Sequence, residues 1–235
     1  MNYKAIFFDL DGTLLPMDND TFTKGYFREL AKKLSPVGIE PKPLIDAVWA
    51  GTKSMVTNDG SGLNADIFWD TFASVTGLDY LPFRNAADEF YKNEFSAAKQ
   101  FTGENPLAKK AVDMAHQCSR KVICAANPLF PLDGQLMRLG WVGLGKKDFD
   151  YICSYETESF CKPNPKFYTS LCEKTGVKPH ECLMIGNDEN EDMYAALMAG
   201  MNAYLVTDNA VMCEKHRFDG DAGSFEEMTR MLSRD

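Results

Sequence analysis

At 235 residues and 45% hydrophobic content, the chain holds enough apolar material for one large domain or a domain carrying an insert. Its 25 Lys plus Arg against 34 Asp plus Glu give a formal net charge of −9, which disfavours nucleic acid and anionic membranes as partners. Seven scattered cysteines with no CxxC spacing exclude a zinc knuckle or thioredoxin-type site and fit reduced thiols in a cytoplasmic protein.

In chain order, residues 5–8 (Ala-Ile-Phe-Phe) form an apolar run without polar alternation, as expected for a strand covered on both faces. It is too short for a signal peptide, and no later stretch approaches a membrane span. Residues 17–100 then read as four helices with no strand. Phe22, Tyr26, Phe27, Leu30, Ala31 and Leu34 mark the first; residues 44–56, 67–75 and 83–98 make the others, separated by loops rich in Pro, Gly, Asn and Asp. The aromatic side chains of this insertion (Phe68, Trp69, Phe72, Phe90, Tyr91 and Phe95) read mainly as the core of a bundle, one or two of them free to line a pocket. Beyond it, apolar runs return at 122–125, 151–153, 182–185 and 203–206. Helical patterns fall between them at 106–118, 165–175 and 191–198, the last ended by Gly200. This alternation predicts a Rossmann-like α/β core, a doubly wound parallel sheet formed by residues 1–16 and 101–235, with residues 17–100 as an inserted helical cap.

The chemistry gathers at strand ends. Asp9 and Asp11 follow the first run, two residues apart and so on the same side of the chain, and Gly12 lets the backbone turn. Two such carboxylates repel unless a proton or cation lies between them, and a hard, oxygen-seeking dication resolves the conflict. An EF-hand loop is excluded, because its sixth-position glycine and twelfth-position glutamate would be Leu14 and Asp20. A second acidic set, Asn187-Asp188-Glu189-Asn190-Glu191-Asp192, follows the fourth run, where open α/β sheets place their ligand crevice. Acids that merely suit a helix dipole are enough to explain Glu189 and Glu191. Lys162, between Cys161 and Pro163, sits in a stiff loop that can aim a point charge at a phosphate. His116, His180 and His216 are too dispersed to suggest a metal triad or catalytic dyad.

Taken together, these motifs resemble those of the haloacid dehalogenase superfamily, in particular its phosphatases with a helical cap after the first strand. Phe7-Phe8-Asp9-Leu10-Asp11-Gly12-Thr13-Leu14 is similar to the first family motif, Lys162 to the third, and Gly186-Asn187-Asp188 through Asp192 to the fourth. The resemblance implies a magnesium-dependent hydrolase of small phosphorylated metabolites. Asp9 would be the nucleophile that forms an aspartyl-phosphate, and Asp11 the general acid and base. Magnesium would be held by Asp9, the Asp11 backbone carbonyl and Asp188. Phosphate would be bound by Leu10, Gly12, Thr13, Ala126, Asn127 and Lys162, while Asp192 orients Lys162 or a metal-bound water. An aspartate at position 11 also argues against a true dehalogenase. One departure stands out: the family ends its second core strand with Thr or Ser, and Ala126 occupies that place. The lost hydroxyl leaves open a catalytically weak binding homologue, and the motifs do not exclude a phosphotransferase or phosphomutase on the same scaffold.

Overall fold

A computed structural model describes residues 3–233. Its centre is a six-stranded sheet in the order β3-β2-β1-β4-β5-β6, with every neighbouring pair parallel. The strands are β1 (Ala5–Phe8), β2 (Lys121–Cys124), β3 (Tyr151–Ile152), β4 (Cys182–Gly186), β5 (Asn202–Val206) and β6 (Ala222–Gly223). The five apolar runs of the sequence are the first five strands. The sixth is two residues long, Ala-Gly, and gives no apolar signal of its own.

Period-two alternation in β1 divides the core. Ile6 and Phe8 join one apolar cluster, and Ala5 and Phe7 the other. Helices α5 (Ala108–Cys118) and α9 (Phe225–Leu232) cover the first face, through Ala111, Val112 and Ala115 and through Phe225, Met228 and Leu232. Helices α7 (Pro165–Thr175) and α8 (Ala195–Met198) cover the second, through Phe167, Leu171, Ala195 and Ala196. All four β1 side chains are fully buried. Each large one contributes roughly 1.5–3 kcal/mol through burial alone, which anchors the strand that carries Asp9.

Between β1 and α5 lie α1 (Asn19–Leu34), α2 (Pro41–Val56), α3 (Asn64–Thr76), α4 (Leu81–Asn93) and a tight helical stretch, Phe95–Phe101. Asp18 caps α1 by accepting from the Thr21 amide at 2.8 Å. The two chain crossings beside this insert meet in a bridge between Met17 and Thr102. Its aromatic side chains pack inward, with Trp69, Phe72, Phe90, Tyr91 and Phe95 buried. Phe95 also meets Phe130 and Trp141, which belong to the loop before and the end of α6 (Leu132–Trp141). A second seam joins α3 to the loop before Lys162. The amides of Asn64 and Ala65 donate to the Glu158 and Tyr155 carbonyls, each at 2.8 Å, and Asn64 Nδ2 lies 3.2 Å from Cys161 Sγ. Among the described residues no helix is long and apolar enough to cross a membrane.

Candidate active site

The chain builds β1, then β2 and β3 on one side of it, and returns to the other side for β4. The sheet therefore reverses direction between β1 and β4, where open parallel sheets form their ligand crevice beyond the carboxyl ends of the strands. Asp9 follows the last residue of β1, and Asn187 the last of β4. Two glycines let these loops touch. Gly12 has φ +89°, and a Cβ there would lie 2.3 Å from Asn187 Nδ2; a Cβ on Gly186 would lie 2.2 Å from the Asp192 carboxylate.

Lys162 is the hub. It is 1% exposed, and its ammonium donates to Asp9 Oδ1 at 2.7 Å and to Asp192 Oδ1 at 2.6 Å. Burial works against its charge, but Asp192 and Asp9 more than offset this and hold the lysine protonated well above its ordinary range. Asp192 turns its other oxygen back to its own loop, accepting from the Asn187 and Asp188 amides at 3.0 and 3.1 Å. The other Asp9 oxygen lies 3.1 Å from the Thr13 hydroxyl, itself 3.0 Å from Asn187 Oδ1. Lys162 also donates its backbone N–H to Asn127 Oδ1 at 3.3 Å, and Asn127 Nδ2 donates to Glu191 Oε2 at 3.1 Å.

Of the residues singled out in the sequence, Asp9, Thr13, Lys162 and Asp192 thus form one hydrogen-bonded set, with Asn127 one bond from Lys162. Asp188 lies beside that set but spends its Oδ1 as a cap, accepting from the Asn190 and Glu191 amides at 2.8 Å each. Helix geometry is wider than usual over Glu189–Tyr194, a π-type turn that leads into α8, where the sequence pattern predicts a regular helix over 191–198. Glu189 and Glu191 are not mere dipole ornaments. Glu189 is fully buried and accepts from the Cys213 amide at 2.6 Å and the Phe218 amide at 3.2 Å. Ala126 is fully buried, packed in the apolar cluster on the Ile6–Phe8 face of the sheet.

Asp11 has a partner that the sequence pattern does not reveal. Arg138 of α6, fully buried, pairs through Nη1 with Asp11 Oδ2 and through Nη2 with Gln135 Oε1. Its Nε lies 3.4 Å from the Gly134 carbonyl, and the guanidinium carbon stands 3.9 Å from the Phe130 ring centre. Tyr168 is equally unsignalled, its hydroxyl donating to the Glu191 carbonyl at 2.9 Å and lying 3.4 Å from Asp192 Oδ1. The available signal is faint in both cases: Gln135 and Arg138, three apart, share a helix face with Gly134 and Leu139 rather than with other charges.

The balance of charge favours a further cation. Among the described residues, Asp9, Asp11, Asp188, Glu191 and Asp192 stand against Lys162 and Arg138. Burial, only partly opposed by Lys162 and reinforced by Asp192 and Asp11, pushes Asp9 up to about 8. Burial likewise pushes Glu191 up to about 7 against the pull of Lys162, and raises Asp188. Carboxylates so disposed fit a hard dication. Among the described residues no three His, Cys, Asp or Glu side chains converge as a ready-made cage.

A separate apolar cavity of about 140 Å³ lies between the helical insert and the loops around Phe130 and Tyr155, lined by Tyr26, Phe27, Trp69, Leu129, Phe130 and Tyr155 among others, and by none of the site carboxylates. Phe130 is the partition, with the cavity on its lining and the Arg138 guanidinium over its ring.

Comparison with known proteins gives the family. The family model of haloacid dehalogenase-like hydrolases matches residues 3–200. A glyceraldehyde 3-phosphate phosphatase from Methanothermobacter thermautotrophicus is 23% identical over 220 residues, covering 90% of this chain and 89% of that protein. A phospholysine phosphohistidine inorganic pyrophosphate phosphatase from Xenopus laevis is 42% identical over 65 residues, but that match spans 28% of this chain and 24% of the Xenopus protein. Among solved structures, a phosphatase of the same superfamily from Thermococcus onnurineus superposes with a TM-score of 0.61 at 21% identity, covering 97% of each chain. A 2-haloacid dehalogenase from Pseudomonas syringae pv. tomato gives 0.62 at 16% identity over 99% of each. At these identities the two structures speak for the fold alone.

Proposed function

The chain belongs to the haloacid dehalogenase-like hydrolases, and from that premise we propose that it is a magnesium-dependent phosphatase of small phosphate monoesters that works through an aspartyl-phosphate at Asp9. The observation that carries the reading is the Lys162 bridge, 2.7 Å to Asp9 and 2.6 Å to Asp192. A nucleophilic carboxylate at a buried strand end needs a fixed cation, both to remain ionised there and to meet the incoming phosphate. The phosphatase relatives support the choice of phosphate as the group transferred.

In this reading Asp9 attacks phosphorus, and Lys162 balances charge on the nucleophile and the transferring group. Asp192 and the Asn127 side chain keep Lys162 in place. Thr13 steadies the second Asp9 oxygen, and the backbone from Leu10 to Thr13, with that around Ala126 and Asn127, lines the phosphate position. Asp11 gives a proton to the departing alcohol and takes one from the hydrolytic water. Magnesium, held by Asp9, the Asp11 carbonyl and Asp188, would neutralise phosphate charge when bound. The helices of residues 17–100 act as the cap over residues 1–16 and 101–235, excluding water and selecting the ester.

The test is hydrolysis of p-nitrophenyl phosphate by purified protein with and without magnesium. Activity that requires magnesium and vanishes in Asp9→Asn supports the reading. Silence across a broad panel of phosphate esters overturns it and favours the binding homologue that Ala126 suggests.

A further inference from the structure

We propose that Arg138 is the positioning residue for Asp11: it ties down Oδ2 and so assigns Oδ1 as the oxygen that exchanges the proton. This rests on the phosphatase reading and goes a step beyond it.

The case begins with what a buried guanidinium costs. Arg138 is among the largest fully buried side chains, and removing such a charge from water carries a penalty of several kcal/mol that its partners must offset. An apolar residue of similar volume at such a position is often as stable or more so. Stability is therefore a weak reason for an arginine here. Its surroundings are instead arranged to aim it. The Gly134 carbonyl receives Nε, Gln135 takes one terminal nitrogen, and the Phe130 ring lies flat beneath the guanidinium carbon at 3.9 Å. One terminal nitrogen remains for Asp11 Oδ2. A planar fork fixed on three sides presents that nitrogen in one direction, which a flexible ammonium cannot do.

The second observation is on Asp11 itself. Its Oδ1 is buried and, among the described residues, has no hydrogen-bond partner. A buried carboxylate oxygen left without a partner is destabilising, and such exceptions call for a specific explanation. With Oδ2 committed to Arg138, Oδ1 is the atom left for a ligand.

The chemistry then balances at that atom. As an Asp9 oxygen bonds to phosphorus, the ester P–O bond breaks and its electron pair goes to the alcohol oxygen, which takes the proton from Asp11 Oδ1. In the second half, water oxygen bonds to phosphorus and the Asp9–phosphorus bond breaks, and the water proton returns to Oδ1. Misplacing a reacting group by about 1 Å can cost about 10²-fold, so anchoring the carboxylate acts on the rate without any contact between Arg138 and substrate.

The experiment uses leaving groups. p-Nitrophenolate departs readily without a proton, whereas an alkoxide needs one. Values of kcat/KM for p-nitrophenyl phosphate and for a simple alkyl phosphate are compared in the unmutated protein, Arg138→Met, Arg138→Lys, Asp11→Asn and the Arg138→Met/Asp11→Asn double variant. Arg138→Met is expected to lose about 10²-fold in kcat/KM on the alkyl ester and less than about tenfold on the nitrophenyl ester, because kcat/KM reports the first half-reaction, in which the leaving group departs. Arg138→Lys should recover part of the loss, and the double variant should be no slower than Asp11→Asn alone. Should Arg138→Met not fold, Gln135→Leu keeps the charge but removes its orienting partner, and a smaller loss with the same ester preference is expected. An active unmutated protein whose Arg138 variants, or Gln135→Leu in their place, lose equally on both esters overturns the assignment while leaving the phosphatase reading intact. So does a double variant whose losses multiply. An unmutated protein silent on both esters overturns both.

Discussion

The carboxyl edge of the sheet and the helical insert solve the problem of a stable interior in opposite ways. At the sheet edge, charged groups are buried and held one by one, as with Lys162 between Asp9 and Asp192 or Arg138 between Gln135 and Asp11. In the insert, aromatic rings such as Phe72 and Phe90 fill the centre, and the cavity between insert and core is apolar. The first kind of interior is specified bond by bond and fails sharply when a partner is removed. The second is held by area, so it erodes gradually and can exchange one ring for another.

If that contrast is right, Lys162→Met should be the most damaging change after loss of Asp9. Removing a preorganised cation costs about 10²–10³ in kcat, and two buried carboxylates lose their shared partner, worth about 3–5 kcal/mol of stability. Turnover of folded protein and urea unfolding measure the two effects separately; a fully active Lys162→Met breaks the comparison outright. Phe72→Ala should cost about 3–5 kcal/mol in urea unfolding, yet folded protein should keep kcat on a small aryl phosphate within about tenfold. A collapse of kcat there would mean that the insert takes part in the chemistry.

A smaller effect is expected at Ala126. Ala126→Thr restores a hydroxyl beside the proposed phosphate position. A hydrogen bond to a charged group is worth about 1.5–3 kcal/mol, so turnover should rise by up to ten- to a hundredfold. Because Ala126 is fully buried in apolar packing, overpacking of about 1–3 kcal/mol offsets the gain in stability measurements. Unchanged or lower turnover would mean that the phosphate loop is fitted to alanine.

The mildest test is pH. Burial raises Asp9 to about 8 from an unfolded value of 3.8. The folded state therefore binds the proton more tightly, and this contribution to stability is complete below the unfolded pKa and lost as pH rises through the folded one. Without divalent ions the melting temperature should fall between about pH 4 and pH 8, less so in Asp9→Asn. Magnesium, favouring the ionised carboxylate, should raise the melting temperature more at pH 8 than at pH 5. A magnesium shift independent of pH would separate the ion from Asp9.

The same contrast decides what could be read in the sequence. Strands β1, β2, β4 and β5 announce themselves because burial forces apolar runs, and the half-buried β3 still keeps an apolar Tyr-Ile pair, whereas β6 is an Ala-Gly pair held by its neighbour β5. Asp9, Lys162 and Asp192 are legible because each follows a strand end or sits in a stiff loop within a family motif. Arg138 is not, because its meaning lies in a partner 127 positions away, and one arginine in a ten-residue helix looks locally like any solvated cation. Tyr168 is hidden in the same way among the apolar residues of α7. The π-type turn at 189–194 is invisible to periodicity, since its acids suit an ordinary helix start equally well.

The seam between α3 and the loop before Lys162 has a mechanical consequence. Asn64 and Ala65 are bonded to residues 155, 158 and 161, within seven positions of the lysine. A cap that swung open at this edge would have to break those bonds or drag the lysine with it. The seam ties the insert to the loop that carries Lys162, so a displacement of α3 would reach that loop.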